Sequence, residues 1–141
     1  MNALSQAIAA LPSRFTENGD GTVTDHLLRV MWTKDTLSAA NVTQYDAEKI
    51  CADCRVGGHE GWRLPDVEEL FLLADRSRRE PAIDTAFFPD THSDWYWTRT
   101  IAAGAPRAAW IVGFGLGLSY LFLRGSYSAF VRAVRSLPAG Q

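Results

Sequence analysis

The chain has 141 residues, 47% hydrophobic and 21% charged, which is enough for one compact domain to bury a core without a metal or disulfide scaffold. A formal net charge of -2 gives no support to a general nucleic-acid or anionic-membrane partner. No apolar run reaches the roughly 20 residues that span a bilayer, and the most apolar stretch, 110–123, is interrupted by glycine, so a soluble chain without membrane insertion is expected.

The Ala-rich start lacks the basic and long apolar regions of a secretory signal, so residues 1–13 are expected to form an arm or short helix. The expected location is cytoplasmic, or phage- or virion-associated, unless another route exports the chain. A single domain is expected over 14–136, with a tail at 137–141.

Residues 15–32 predict a β-hairpin: Asn18, Gly19, Asp20 and Gly21 tolerate positive φ, and the alternation Thr22, Val23, Thr24 follows, with the second strand running on towards Trp32. A helix starting at Ser38 or Asn41 places Ala47, Ile50, Cys51 and Cys54 on one face and stops at Gly57 and Gly58. A second helix follows Pro65, with Glu68 and Glu69 at its positive end and Leu70, Leu73 and Ala74 at helical spacing. Residues 75–94 form a long irregular connection that needs its own packing, supplied by Ile83, Phe87 and Phe88. Strands are expected at 95–98, 109–114, 120–123 and 130–135. Helices first and a mostly antiparallel sheet last argue an α+β class with a meander, not alternating βαβ units.

Cys51 and Cys54 form a C-x-x-C, the spacing of a redox motif or half a zinc site. His59 lies near, but a second ligand pair is missing and no βαβ context precedes, so burial in the helix is the favoured reading. Asn18, Asp20 and Asp25 bring oxygen ligands together without the glutamate of an EF-hand, which favours turn chemistry. Asp84, Asp90 and Asp94 keep calcium as the one candidate cofactor. Asp94, Trp95, Tyr96, Trp97 and Arg99 read as a sugar platform, although alternation sends one aromatic set into the core. Trp62 and Trp110 read as structural. Arg63, Arg132 and Arg135 suit carboxylate forks with Asp66, Glu68 or Glu69. No catalytic constellation emerges: His26, His59 and His92 are scattered, no serine sits on a nucleophile elbow, and Glu68 and Glu69 diverge on their helix. A non-enzymatic protein is expected.

The segments RFTENGDGTVTD, MWTKD, GGHEGWRLPDVEEL, PAID with FFP, YWTRT, AAW-x-V-x-F and FVRAVR occur in that order between Arg14 and Arg135. In that order they resemble the Lcl C-terminal domain family, named for a Legionella collagen-like protein. The resemblance implies a C-type-lectin-like fold and a receptor- or glycan-binding module, often trimeric, so a homo-oligomer is a candidate state. It also marks two departures: Leu28, Arg29 and Val30 stand where the family has Thr-Gly-Leu, and Cys54 stands where an aliphatic residue is usual. WRLP resembles a stretch of formylglycine-generating folds, but both cysteines precede it, against an oxidase.

The C-terminal block also resembles the variable segment of lectin-like proteins diversified by retroelements, whose rewritten codons yield no Lys, Glu, Gln, Met or Trp. None of these occurs in residues 111–130. Leu116, Leu118, Tyr120, Phe122, Leu123, Tyr127 and Phe130 are more apolar residues than two one-sided strands need. The expected contact surface for a protein or glycan ligand is therefore Ile111, Gly113, Leu116, Leu118, Ser119, Tyr120, Phe122, Arg124, Ser126, Tyr127, Ser128 and Phe130.

Overall fold

The computed structural model describes residues 13–139 together with Ala3, so the arm or helix expected at 1–13 lies almost wholly outside the described residues. The elements in chain order are β1 (Phe15–Glu17), β2 (Thr22–Asp25), β3 (Val30–Thr33), α1 (Gln44–Ala52), a 3-10 turn (Val56–Gly58), α2 (Val67–Leu73), β4 (Trp95–Ala102), β5 (Ala105–Gly113), β6 (Leu118–Leu123) and β7 (Val134–Ser136). Two antiparallel sheets result, one in the order β1-β2-β3-β7 and one in the order β4-β5-β6. The α+β class is as the sequence predicts.

The N-terminal hairpin forms, with Gly19 and Gly21 at φ 78 and 90. Its second strand does not run on to Trp32. It stops at Asp25, whose Oδ1 accepts the N–H groups of Leu27 and Leu28 and turns the chain back into β3. Arg29 sits in that turn at φ 58, the left-handed conformation that glycine adopts at no steric cost, at the central position of the Leu28–Val30 departure.

Helix α1 begins later than Ser38 or Asn41 because Thr43 is its N-cap, with Oγ1 accepting from Asp46 N–H. It ends at Ala52, before the two glycines, which belong to the 3-10 turn. Helix α2 opens with a capping box in which Glu69 Oε1 accepts from Asp66 N–H at 2.8 Å. The connection 75–94 is irregular, as expected, and is pinned by buried Ile83 and Phe88, with Phe87 packed against them.

The last expected strand is the main topological correction. Residues 130–135 do not extend the C-terminal meander: only β7 forms, and it pairs with β3 in the other sheet. Residues 130–133 instead link the sheets, with Trp97 N–H donating to Phe130 C=O and Phe130 N–H to Trp95 C=O on one side, and Thr33 N–H of β3 donating to Ala133 C=O on the other. One buried cluster, with Trp32, Leu70, Leu73, Phe88, Tyr96, Val112 and Phe114, lies on one face of β4 and β5 beneath α2. The other, with Ala47, Cys51, Trp62, Trp97, Ile111 and Val131, lies on the opposite face beneath α1. The helices have nine and seven residues and pack mainly on β4 and β5, so β6 projects past both cores.

Candidate functional site

The projection of β6 determines what its side chains do. Successive residues of a strand point to opposite faces, and here every residue of Leu118–Leu123 is exposed except the half-buried Phe122. Leu118, Tyr120 and Phe122 share a face with Trp95 and Trp97, while Ser119, Leu121 and Leu123 share the other with Trp110.

On the first face an aromatic ladder runs outward from the core. Buried Trp97 meets Phe122 edge-on at 6.0 Å, Phe122 stacks on Tyr127 at 5.0 Å, and Trp95 touches Phe122 and Tyr120 at 6.0 and 6.4 Å. Tyr120 and Tyr127 are 63% and 52% exposed at its outer end, with Leu116 and Leu118 beside them. On the second face, Val67, Glu68, Phe71, Trp110 and Ser119 line an open apolar cleft of about 250 Å³.

The expected contact residues therefore divide. Leu116, Leu118, Ser119, Tyr120, Ser126, Tyr127 and Ser128 are exposed, and Phe122 is half-buried within the ladder. Ile111 and Gly113 are interior, because β5 is the central strand of its sheet, and they offer a ligand no surface. Gly113 is also the floor under Trp95: a Cβ there would stand 2.8 Å from the indole. Phe130 is half-buried and stacks on His92 at 4.0 Å. Arg124 is an anchor, donating to Gln44 Oε1 and Glu48 Oε1, both at 2.8 Å, and lying over the Tyr45 ring. It ties the turn after β6 to α1.

The sugar platform at 94–99 is not assembled. Tyr96 and Trp97 are fully buried in opposite cores, so Trp95 is the one aromatic of the three with partial exposure, and the exposed Arg99 is engaged by Asp66 at 2.7 Å. The carboxylates considered for calcium serve the backbone: Asp20 accepts from Thr22 N–H, Asp84 from Ala86 N–H, Asp90 from Thr36 N–H and Asp94 from Trp95 N–H. Among the described residues no three His, Cys, Asp or Glu side chains are placed to hold a metal ion. Cys51 and Cys54 are buried free thiols, and burial pushes the Cys51 thiol up to about 12.

Of the arginines matched to carboxylates, Arg63 forks onto Glu69 at 2.8 and 3.0 Å. Arg132 does not: fully buried, it donates to the carbonyls of Thr33 and Lys34 at 2.6 Å and to Thr91 Oγ1 at 2.9 Å. Arg135 donates to Glu60 C=O. Both hold loops together through the backbone.

Sequence reasoning missed the cleft face. The signal was present in α2, where Val67, Phe71 and Leu72 are apolar in addition to the core pair Leu70 and Leu73, so the helix has more than one apolar stripe. It was present again in β6, apolar at Leu121 and Leu123 as well as on the alternate positions.

A family described as the Lcl C-terminal domain matches residues 21–135. No curated protein matches the chain. No helix among the described residues is long and apolar enough to cross a membrane.

Proposed function

Because the chain belongs to the Lcl C-terminal domain family, we propose that it is a ligand-binding module, not an enzyme, on a scaffold of C-type-lectin type, and that it presents the aromatic-ladder face of β6 with the flanking turns to a protein ligand. One observation carries this reading. Leu116, Leu118, Tyr120 and Tyr127 are each more than half exposed on one continuous surface that neither helix covers. Soluble domains seldom leave contiguous apolar area of this kind without a partner for it. Exposed tyrosines bring large contact area at small entropic cost, the composition of a contact surface. A protein suits the patch better than a glycan, because its side-chain hydroxyls, on Ser126, Ser128 and the tyrosines, are few beside its apolar groups. The surface is also the segment with the restricted alphabet, now narrowed to 115–128 because 111–114 are core. A rigid scaffold with a rewritable face is the design this alphabet serves.

The test is a library randomised with NNY codons at 116, 118, 120, 126, 127 and 128. If the face is for display, most members melt within a few degrees of the parent, and members can be selected that bind a chosen protein. Broad loss of folding across the library overturns the reading. In the neighbouring DNA, a near-copy of the codons for 115–128 differing only at adenines, beside a reverse transcriptase gene, would establish diversification; an unmatched segment would leave an invariant binding face.

A further inference from the structure

Among the described residues no strand pairs with the outer edge of β6, and the cleft behind Ser119 stands open. We infer that a second copy of this chain occupies both, pairing β6 with β6 antiparallel about a two-fold axis perpendicular to the sheet at Tyr120.

The other strands facing outward in this sheet and its neighbour are provided for. The outer side of β4 is bonded to residues 130 and 65, through Trp97 N–H to Phe130 C=O and Arg99 N–H to Pro65 C=O. The two edges of the other sheet, β1 and β7, have only three residues each, and Val134 of β7 is already bonded to Arg63. β6 has six residues with no charge, proline or bulge. Those are the devices by which edges avoid pairing with other chains.

Which backbone groups face outward follows from the register. Arg124 N–H donates to Arg107 C=O at 2.8 Å, and β6 pairs with β5 so that Leu118 meets Gly113 and Phe122 meets Ala109. Narrow and wide pairs alternate in an antiparallel ladder, so the even-numbered residues bond to β5 and Ser119, Leu121 and Leu123 turn their N–H and C=O groups to the open edge. The Leu123 carbonyl already accepts Tyr127 N–H at 3.2 Å. Among the described residues, Ser119 and Leu121 are therefore the ones of β6 with both groups available. A two-fold at Tyr120 sets Ser119 opposite the second copy's Leu121 and joins them by four hydrogen bonds. A two-fold at Leu121 would need the occupied carbonyl.

The same register makes the side chains fit. Ser119 is the one small residue of β6, and behind it the cleft of Val67, Phe71 and Trp110 stands open. The second copy's Leu121 arrives directly over it as an apolar knob, and symmetry repeats the contact. On the ladder face Leu118 meets the second copy's Phe122, and the two Tyr120 residues lie side by side at a wide-pair position. No like charges meet. The result is one six-stranded sheet carrying two ladder faces side by side. The pairing uses the edge and the cleft face and touches the ladder face only at Leu118, Tyr120 and Phe122, whereas the proposed ligand also uses Leu116, Tyr127 and the turns, so variants at 121 and at 116 and 127 let each reading fail alone.

The experiment is sedimentation equilibrium on the full chain over a range of concentrations, with three variants. The wild type should run as a dimer, and Leu121→Lys as a monomer with an unchanged circular dichroism spectrum. Should Leu121→Lys misfold, Ser119→Lys on the same edge should give the folded monomer. Under oxidised glutathione, Tyr120→Cys should cross-link into a disulfide dimer, because wide-pair Cα atoms lie about 4.5 Å apart, within disulfide reach. Ser126→Cys, also at an exposed position, should not. A wild type that stays monomeric throughout, a trimer, a dimer indifferent to both lysines, or equal cross-linking of both cysteines overturns the inference. Leu116→Ser with Tyr127→Ser should leave the dimer intact, and loss of the dimer in that variant would overturn the separation of the two surfaces.

Discussion

The Trp32 indole donates its N–H to Asp25 Oδ2 at 3.0 Å, within the first core. The same carboxylate receives Arg14 Nε and Nη2 at 3.0 and 2.8 Å and the N–H groups of Leu27 and Leu28. One fully buried carboxylate thus closes the β2–β3 turn, orients the largest core side chain and fastens the start of β1. Asp25→Ala leaves an indole N–H and a guanidinium without their acceptor, a loss of about 3 kcal/mol or more. Urea unfolding should show a lower midpoint with an unchanged slope. A loss under about 1 kcal/mol, the range of a surface ion pair, would contradict this role.

Gly113 and Gly115 lie two residues apart at the end of β5, and the structure gives them opposite tolerances. A Cβ on Gly113 would meet the Trp95 ring at 2.8 and 2.9 Å, whereas one on Gly115 would find only the Ser93 carbonyl at 3.8 Å. Gly113→Ala must displace the indole at the root of the ladder and should cost about 1–3 kcal/mol. Gly115→Ala should stay within about 0.5 kcal/mol. Thermal melts of the two variants, with Trp fluorescence for the indole, decide it; equal effects would mean Trp95 is loosely held.

The contrast marks how far the sequence could be read. Local signals were sufficient for the N-terminal turn, the helix that follows Pro65 with its acidic first turn and the packing of Ile83, Phe87 and Phe88, because each depends on residues close in the chain. What escaped depends on contacts made elsewhere. Val134 pairs with Trp32 across about a hundred residues, and nothing in the alternation of 130–135 distinguishes that partner from β6. Ile111 and Tyr120 are direct partners in adjacent strands, yet one is core and the other surface because the helices end over β5. Apolar excess revealed that some residues must be exposed; the lengths of α1 and α2 decided which.

Cys51 and Cys54 give a direct check on the binding-module reading. Burial is the main cause of the raised Cys51 thiol, with the Cys54 sulfur and the Glu48 charge adding to it. A thiol pushed up to about 12 is protonated at neutral pH, and the thiolate is the reactive form. Native protein at pH 8 should leave Cys51 unlabelled by Ellman's reagent over a time in which unfolded protein labels both cysteines completely. Fast labelling of native Cys51 would revive a redox or formylglycine-type role.

Asp66 and Arg99 join α2 to β4 and fix the sign of one pH effect. The Arg99 hydrogen bond at 2.7 Å is the main reason the Asp66 carboxyl lies below its ordinary value; the charges of Arg99 and Arg63 act the same way, against some desolvation. Arg99 is raised by the same contact, but it stays protonated at every accessible pH, so only the aspartate titrates. Its folded value is depressed, so the unfolded chain binds the proton first as pH falls, and stability is lost in that direction. The contribution is complete above the unfolded aspartate value of about 3.9 and disappears as pH drops through the folded one. Both side chains are more than a third exposed, so screening holds the effect to about 1 kcal/mol or less. Asp66→Asn keeps a capping oxygen and removes the charge. The stability gap between wild type and Asp66→Asn should be flat from pH 5 to 8, narrow below about pH 4, and shrink in high salt. A gap that widens on acidification would reverse the sign and place the stabilising proton on the folded state.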